Sequence, residues 1–120
     1  MSEVKKAVMV FNYAEKIKTS LIVASSLLEF LGDMKEAAEA AGAEKLLVAY
    51  FSALILETNI AANASQIKRF RDIASKLEEA AEQIKQHNYG NVQRLVSEAI
   101  SMATTNGNWA AQMLKEKNLI

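Results

Sequence analysis

MKEAAEAAGAEKLLVAYFSALILETNIAA, residues 34–62, is the stretch on which the fold turns, because Gly42 stands inside it. If Gly42 ends a helix, a short element over Met34 to Ala41 precedes a separate one. If the helix runs through, the stretch is one element as long as its neighbours. Met34, Ala41, Val48, Ile55 and Ala62 recur at seven-residue intervals across the glycine, which keeps one face in register. A glycine inside a helix costs only about 1 kcal/mol relative to alanine. The spacing therefore predicts a helix over 34–62, continuous or kinked at Gly42.

Upstream, Ser2 suits an N-cap and Glu3 the positive end of a helix dipole. Val4, Val8, Phe11, Ala14, Ile17, Leu21, Ala24, Leu28 and Leu31 then recur every three or four residues, predicting a helix over 3–31. Gly32 stops it, and Asp33 with Glu36 has the spacing of a capping box for the next. Downstream, Thr58, Asn59, Asn63 and Ser65 are weak helix formers, and Asn63 to Gln66 repeats the capping-box spacing, so a turn is placed there. The rival is one very long helix, since Ile60 and Ile67 stay in heptad phase. Ile67, Phe70, Ala74, Leu77, Ala81 and Ile84 predict a third helix over 65–87. Asn88-Tyr89-Gly90 ends it and Asn91 caps a fourth over 91–118, with Val92, Leu95, Ala99, Met102, Asn106, Trp109 and Met113 in register.

Proline is absent and glycine is confined to Gly32, Gly42, Gly90 and Gly107, so long helices with short turns are expected. Short connections make each helix antiparallel to the one before it. The fold class is all-α: an up-down-up-down four-helix bundle in a single domain over 1–120. In that arrangement Leu21 to Leu31 should face the small side chains Ala37, Ala38, Ala40 and Ala41, and Phe11, Phe70 and Trp109 should share a level.

Composition narrows the function. Half of the chain (51%) is apolar, as in an ordinary well-cored protein, and 14 basic residues balance 14 acidic ones. No net field draws such a chain to nucleic acid or anionic lipid. There is no cysteine, which fits a reducing compartment, and a single histidine, His87. The apolar stretch Ala7 to Phe11 is too short for a signal sequence, and the run Leu46 to Leu56 is shorter than the roughly 18 residues a spanning helix needs. The reading is a cytoplasmic protein with no membrane or nucleic-acid partner.

Catalytic and metal chemistry find little to use. Di-metal bundles need Glu-x-x-His pairs, which this chain lacks. His87 falls at the end of its helix, near Glu29 and Asp33 in the expected topology, a poor metal set that favours a structural or exposed histidine. Glu57, after the long apolar run, is either a buried acid–base group or a carboxylate reaching water, and the second is preferred. Ser25, Ser26, Ser97 and Ser101 have no histidine on a facing surface. Lys68, Arg69, Arg71 and Lys76 form the basic cluster, with Asp72 interleaved as on a solvated helix face. Asn106, at an apolar register position, either fixes pairing or hydrogen-bonds Tyr50 across the bundle. No metal or cofactor site is assigned.

What stands out is excess apolar surface. Leu46 to Leu56 is apolar around nearly its whole circumference, and Leu21 to Leu31 nearly so, whereas a bundle helix needs only a stripe. The sequence thus points to a non-catalytic bundle that works by protein–protein contact, as a homodimer or with another protein, through Val23, Leu27, Phe30, Leu47, Tyr50 and Leu54. The alternative is a small apolar ligand held among Phe11, Phe51, Phe70 and Trp109. An enzyme comes third.

Overall fold

A computed structural model describes residues 2–120 as four α-helices: α1 (Glu3–Gly32), α2 (Ala37–Ser65), α3 (Lys68–Lys85) and α4 (Tyr89–Glu116). The chain is an all-α four-helix bundle, 54 × 22 × 17 Å. α2 runs through Gly42 without interruption, so residues 33–41 are not a separate helix.

The helix ends differ from the expected ones for local reasons. Ser2 caps α1 as anticipated, its side chain accepting the Lys5 N–H at 3.2 Å. Asp33 does not open α2: its backbone N–H closes the end of α1, and Glu36 is the N-cap without a side-chain bond. α2 continues past Asn63 to Ser65, and the reversal falls on Gln66, at φ 61°. Ser65 Oγ then accepts the Ile67 N–H at 3.2 Å, satisfying a donor at the start of α3. α3 ends in a Schellman pair: His87, at φ 61°, donates its N–H to the Ile84 carbonyl and Asn88 donates to that of Gln83. α4 starts at Tyr89, two residues before Asn91, which lies within the helix and bonds Gln83 instead of capping.

Each helix packs on its two ring neighbours: α1 on α2 and α4, α3 on α2 and α4. The diagonal pairs, α1 with α3 and α2 with α4, do not approach closely through their backbones and meet through long side chains, Tyr13 on Phe70 and Tyr89 on Glu44. Polar pairs fix the antiparallel register. Tyr50 donates to the Ser20 carbonyl at 2.8 Å and Glu57 meets Lys16 at 3.2 Å, so α2 advances as α1 recedes. Arg71 reaches Asn63, Lys76 reaches Glu98, and Gln93 reaches Ser25 in the same way across the other seams.

The core is Ala7, Val10, Ala14, Ile17, Leu21, Ala24, Leu28 and Leu31 from α1, with Leu47, Phe51, Leu54 and Ala61 from α2. α3 adds Phe70, Ile73, Leu77 and Ile84, and α4 adds Val92, Leu95, Val96, Ala99, Ala103 and Ala110. α1 and α4 approach closely because their facing residues are small. A Cβ added at Gly107 would stand 3.6 Å from that of Ala14 and 3.4 Å from Glu15 Oε1.

Of the seven-residue set Met34, Ala41, Val48, Ile55 and Ala62 only Ala62 is buried, and the inward face of α2 is formed by Leu47, Phe51, Leu54 and Thr58. Two packing expectations are corrected. Ala37, Ala38 and Ala41 are exposed, so the large-against-small layer does not close over the end of α1. No aromatic layer joins Phe11, Phe70 and Trp109. Phe70 packs edge-on against Tyr13, ring centres 6.4 Å apart, and Trp109 is 42% exposed.

Candidate interaction face

α1 and α2 lie side by side, and the outer surface they share exposes a run of apolar side chains; others, among them Val8, Ile22 and Trp109, are exposed elsewhere. On α1, Val23, Leu27 and Phe30 follow one another at helical steps of four and three, all exposed, with Phe30 at 71%. On α2, Leu46 is 76% exposed and Leu56 64%, and Ile60 continues the line. Between the last turns of α1 and the first of α2, the uncovered layer leaves an open groove of about 350 Å³ lined by Leu27, Phe30, Met34, Ala43, Leu46 and Tyr50.

Charge is sparse on this face, where one ion pair, Lys16 with Glu57, stands. Thr19 to Leu28 on α1 and Leu46 to Leu56 on α2 contain no ionisable carboxylate or amine, and the register places them beside each other. α3, by contrast, carries Lys68, Arg69, Arg71, Asp72, Lys76, Glu78, Glu79, Glu82 and Lys85 within 18 residues. The ion pair on the apolar face, Lys16 with Glu57, closes internally, although Lys16 Nζ lies off the line of a hydrogen bond to Glu57 Oε1. Glu57 thus has a cation partner at the surface rather than a dry acid–base site.

The six residues expected at an interface divide. Val23, Leu27 and Phe30 are exposed on this face. Tyr50 is half-buried with its hydroxyl used on Ser20. Leu47 (4% exposed) and Leu54 are core residues, because α2 turns them inward with Phe51 and Thr58. Leu46, Leu56 and Ile60 take their place. The four expected ligand-pocket residues do not gather: Phe51 and Phe70 are fully buried in the core, Phe11 is half-buried and Trp109 faces outward.

Two further contacts that the sequence allowed are not made. His87 meets neither Glu29 nor Asp33, which belong to the diagonal helix. Its Nδ1 lies 2.5 Å from Glu44 Oε2, on α2, and the Tyr89 hydroxyl donates to the same oxygen. Burial pushes the Glu44 carboxyl up, but the hydrogen bonds from Tyr89 and His87 outweigh it and hold it below its ordinary value. Burial first, then the bond and charge of Glu44, push the Tyr89 hydroxyl up to about 12. Asn106 likewise does not meet Tyr50: Tyr50 is level with Ser20 on α1, whereas Asn106, next to Gly107, is level with Ala14. Its Oδ1 accepts from Arg69 Nη1 at 3.2 Å while its buried Nδ2 has no partner.

Among the described residues, no three of His, Cys, Asp and Glu converge at metal-binding distance. α2 is the one described helix long and apolar enough to cross a membrane, a property of length and composition that the core helix of a soluble bundle can share. The chain matches no family model, no curated protein and no solved structure.

Proposed function

We propose that this protein is a non-catalytic helical bundle that acts by protein–protein contact, self-associating through the outer face of α1 and α2. The observation that carries the reading is the coincidence of exposed Val23, Leu27, Phe30, Leu46, Leu56 and Ile60 on one charge-poor face of a bundle charged elsewhere. Exposed apolar area of this extent favours burial against a partner, each large side chain contributing about 1.5–3 kcal/mol when fully covered. Two-fold homodimers are the commonest such solution.

Sedimentation velocity and native mass spectrometry test it. The wild type should be a dimer. Phe30→Glu and Leu46→Glu should shift it toward monomer while leaving the helical circular-dichroism spectrum intact, because both side chains stand outside the core. A wild type that stays monomeric at every concentration sinks the reading.

The open groove favours a second, weaker reading, a small apolar ligand seated beside Phe30 and Met34. It predicts retained mass on native protein and loss of that mass in Leu27→Glu.

A further inference from the structure

α2 carries two heptad seams. The inner one, Leu47, Phe51, Leu54, Thr58, Ala61 and Ser65, is buried in the bundle. The outer one, Leu46, Ala49, Ala53, Leu56 and Ile60, advances by three, four, three and four residues, and all five positions are exposed. A stripe with that period is what a partner helix packs into by knobs and holes.

The outer seam is also arranged symmetrically about its middle. Leu46 and Ile60 lie seven residues either side of Ala53, and Ala49 and Leu56 stand inside them on opposite sides. We infer that the partner is a second copy of this chain, with α2 packed antiparallel on the partner's α2 about a two-fold axis at Ala53. This rests on the self-association reading and adds the orientation and register. Ala53 then meets the partner's Ala53, where the absence of bulk lets two helix backbones approach. Ala49 meets the partner's Leu56, small against large. Leu46 meets the partner's Ile60 at each end.

The same axis organises α1. Tyr50 stands beside Ser20 and Glu57 beside Lys16, so Ala53 is level with residues 18–19. Reversal about that level brings the Phe30 end of α1 over the first turns of the partner's α1, where Met9 continues the line of Lys16, Val23 and Phe30 at seven-residue steps. The rise from Met9 to Phe30 is about 32 Å. Two helices side by side are about 20 Å wide. The projected face is therefore about 650 Å² before side-chain relief, close to the roughly 800 Å² per partner of a stable interface. A parallel arrangement would stack Leu46, Leu56 and Ile60 each on its own copy and lose the pairing of Ala49 with Leu56. An unrelated partner would have no need of a stripe matched to its own reverse.

The chain has no cysteine, so crosslinking reads the register without background. Under copper-catalysed air oxidation, Ala53→Cys should form a covalent dimer with itself. Leu46→Cys should not, because its two copies would lie about 21 Å apart while a disulfide requires Cα atoms within about 7 Å. Leu46→Cys mixed with Ile60→Cys should crosslink as Ala53→Cys does, roughly tenfold or more faster than Leu46→Cys alone.

If the wild type sediments as a dimer but Leu46→Cys crosslinks to itself as readily as Ala53→Cys, the antiparallel register is wrong and self-association stands. A dimer in which Ala53→Cys does not crosslink has the same meaning. A monomeric wild type overturns both. If that monomer cosediments with phosphatidylcholine vesicles, the face belongs to lipid instead.

Discussion

Leu46 and Leu47 are adjacent, chemically identical, and 76% and 4% exposed. Truncating them should separate core from face. Leu47→Ala is expected to cost about 2–5 kcal/mol in urea unfolding, the range for a buried leucine, whereas Leu46→Ala should stay within about 0.5 kcal/mol in monomer stability. Equal losses would mean that α2 is rotated from its described orientation. At the α3–α4 turn, Tyr89 ties pH to stability. Its hydroxyl is held protonated up to about 12 against an ordinary 10.0, so its contribution is whole below pH 10 and is lost as pH rises through the folded value. Glu44 works at the other limb: held below its ordinary 4.5, it contributes above that value and loses its contribution as pH falls through the folded one. Melting temperatures of Tyr89→Phe should therefore decline less steeply than wild type between pH 10 and 12, and those of Glu44→Gln less steeply at acid pH.

Two helical glycines should respond in opposite directions. Gly42 lies mid-helix with nothing within 4 Å of an added Cβ, so Gly42→Ala should raise stability by about 0.5–1 kcal/mol. Gly107 faces Ala14 and Glu15 across the α1–α4 seam, so Gly107→Leu should lower stability by about 1–3 kcal/mol through overpacking. Thermal and urea unfolding of the two variants read both signs. The elements themselves were legible in sequence. The absence of proline, the three-and-four spacing and the weak helix formers near Asn63 locate four helices to within a few residues. Orientation was legible in proportion to amphipathicity. Along α1 the inward set from Ala14 to Leu31 is as read, and only the first turns differ, where Ala7 and Val10 replace Val8. On α2 nearly every direction is apolar, so several seven-residue sets compete and spacing alone cannot rank them. On α4 the spacing favours the larger Met102, Trp109 and Met113, whereas Ala103, Gly107 and Ala110 are buried because smallness permits close approach to α1.

For the molecule as a whole, ring order and level along the bundle together decide which side chains meet, and they explain the missed site contacts. His87 stands 21 residues after Gln66 and Glu44 stands 22 before it. Counting outward from the turn pairs them once α2 and α3 are known to be neighbours. Equal counting from the α3–α4 turn pairs Asn106 with Arg69. Tyr50 and Asn106 stand at different levels, beside Ser20 and Ala14 respectively, and His87 turns to Glu44 on α2 rather than across the bundle to Glu29. The apolar face was legible as an excess, and its location required knowing which side of α2 the core uses. Association through it should leave the bundle's own packing unchanged, so Leu46→Glu monomers should keep the wild-type unfolding midpoint under conditions dilute enough to dissociate the dimer. The close seam between α1 and α4 has a topological consequence. Because the first and last helices are ring neighbours running in opposite directions, Ser2 and Lys117 lie at the same end of the bundle. The fold is a closed circuit with three covalent joints and one open one, and its packing has no preferred starting point. A circularly permuted chain, joined across those ends and opened between Gln66 and Ile67, has the same four seams to form.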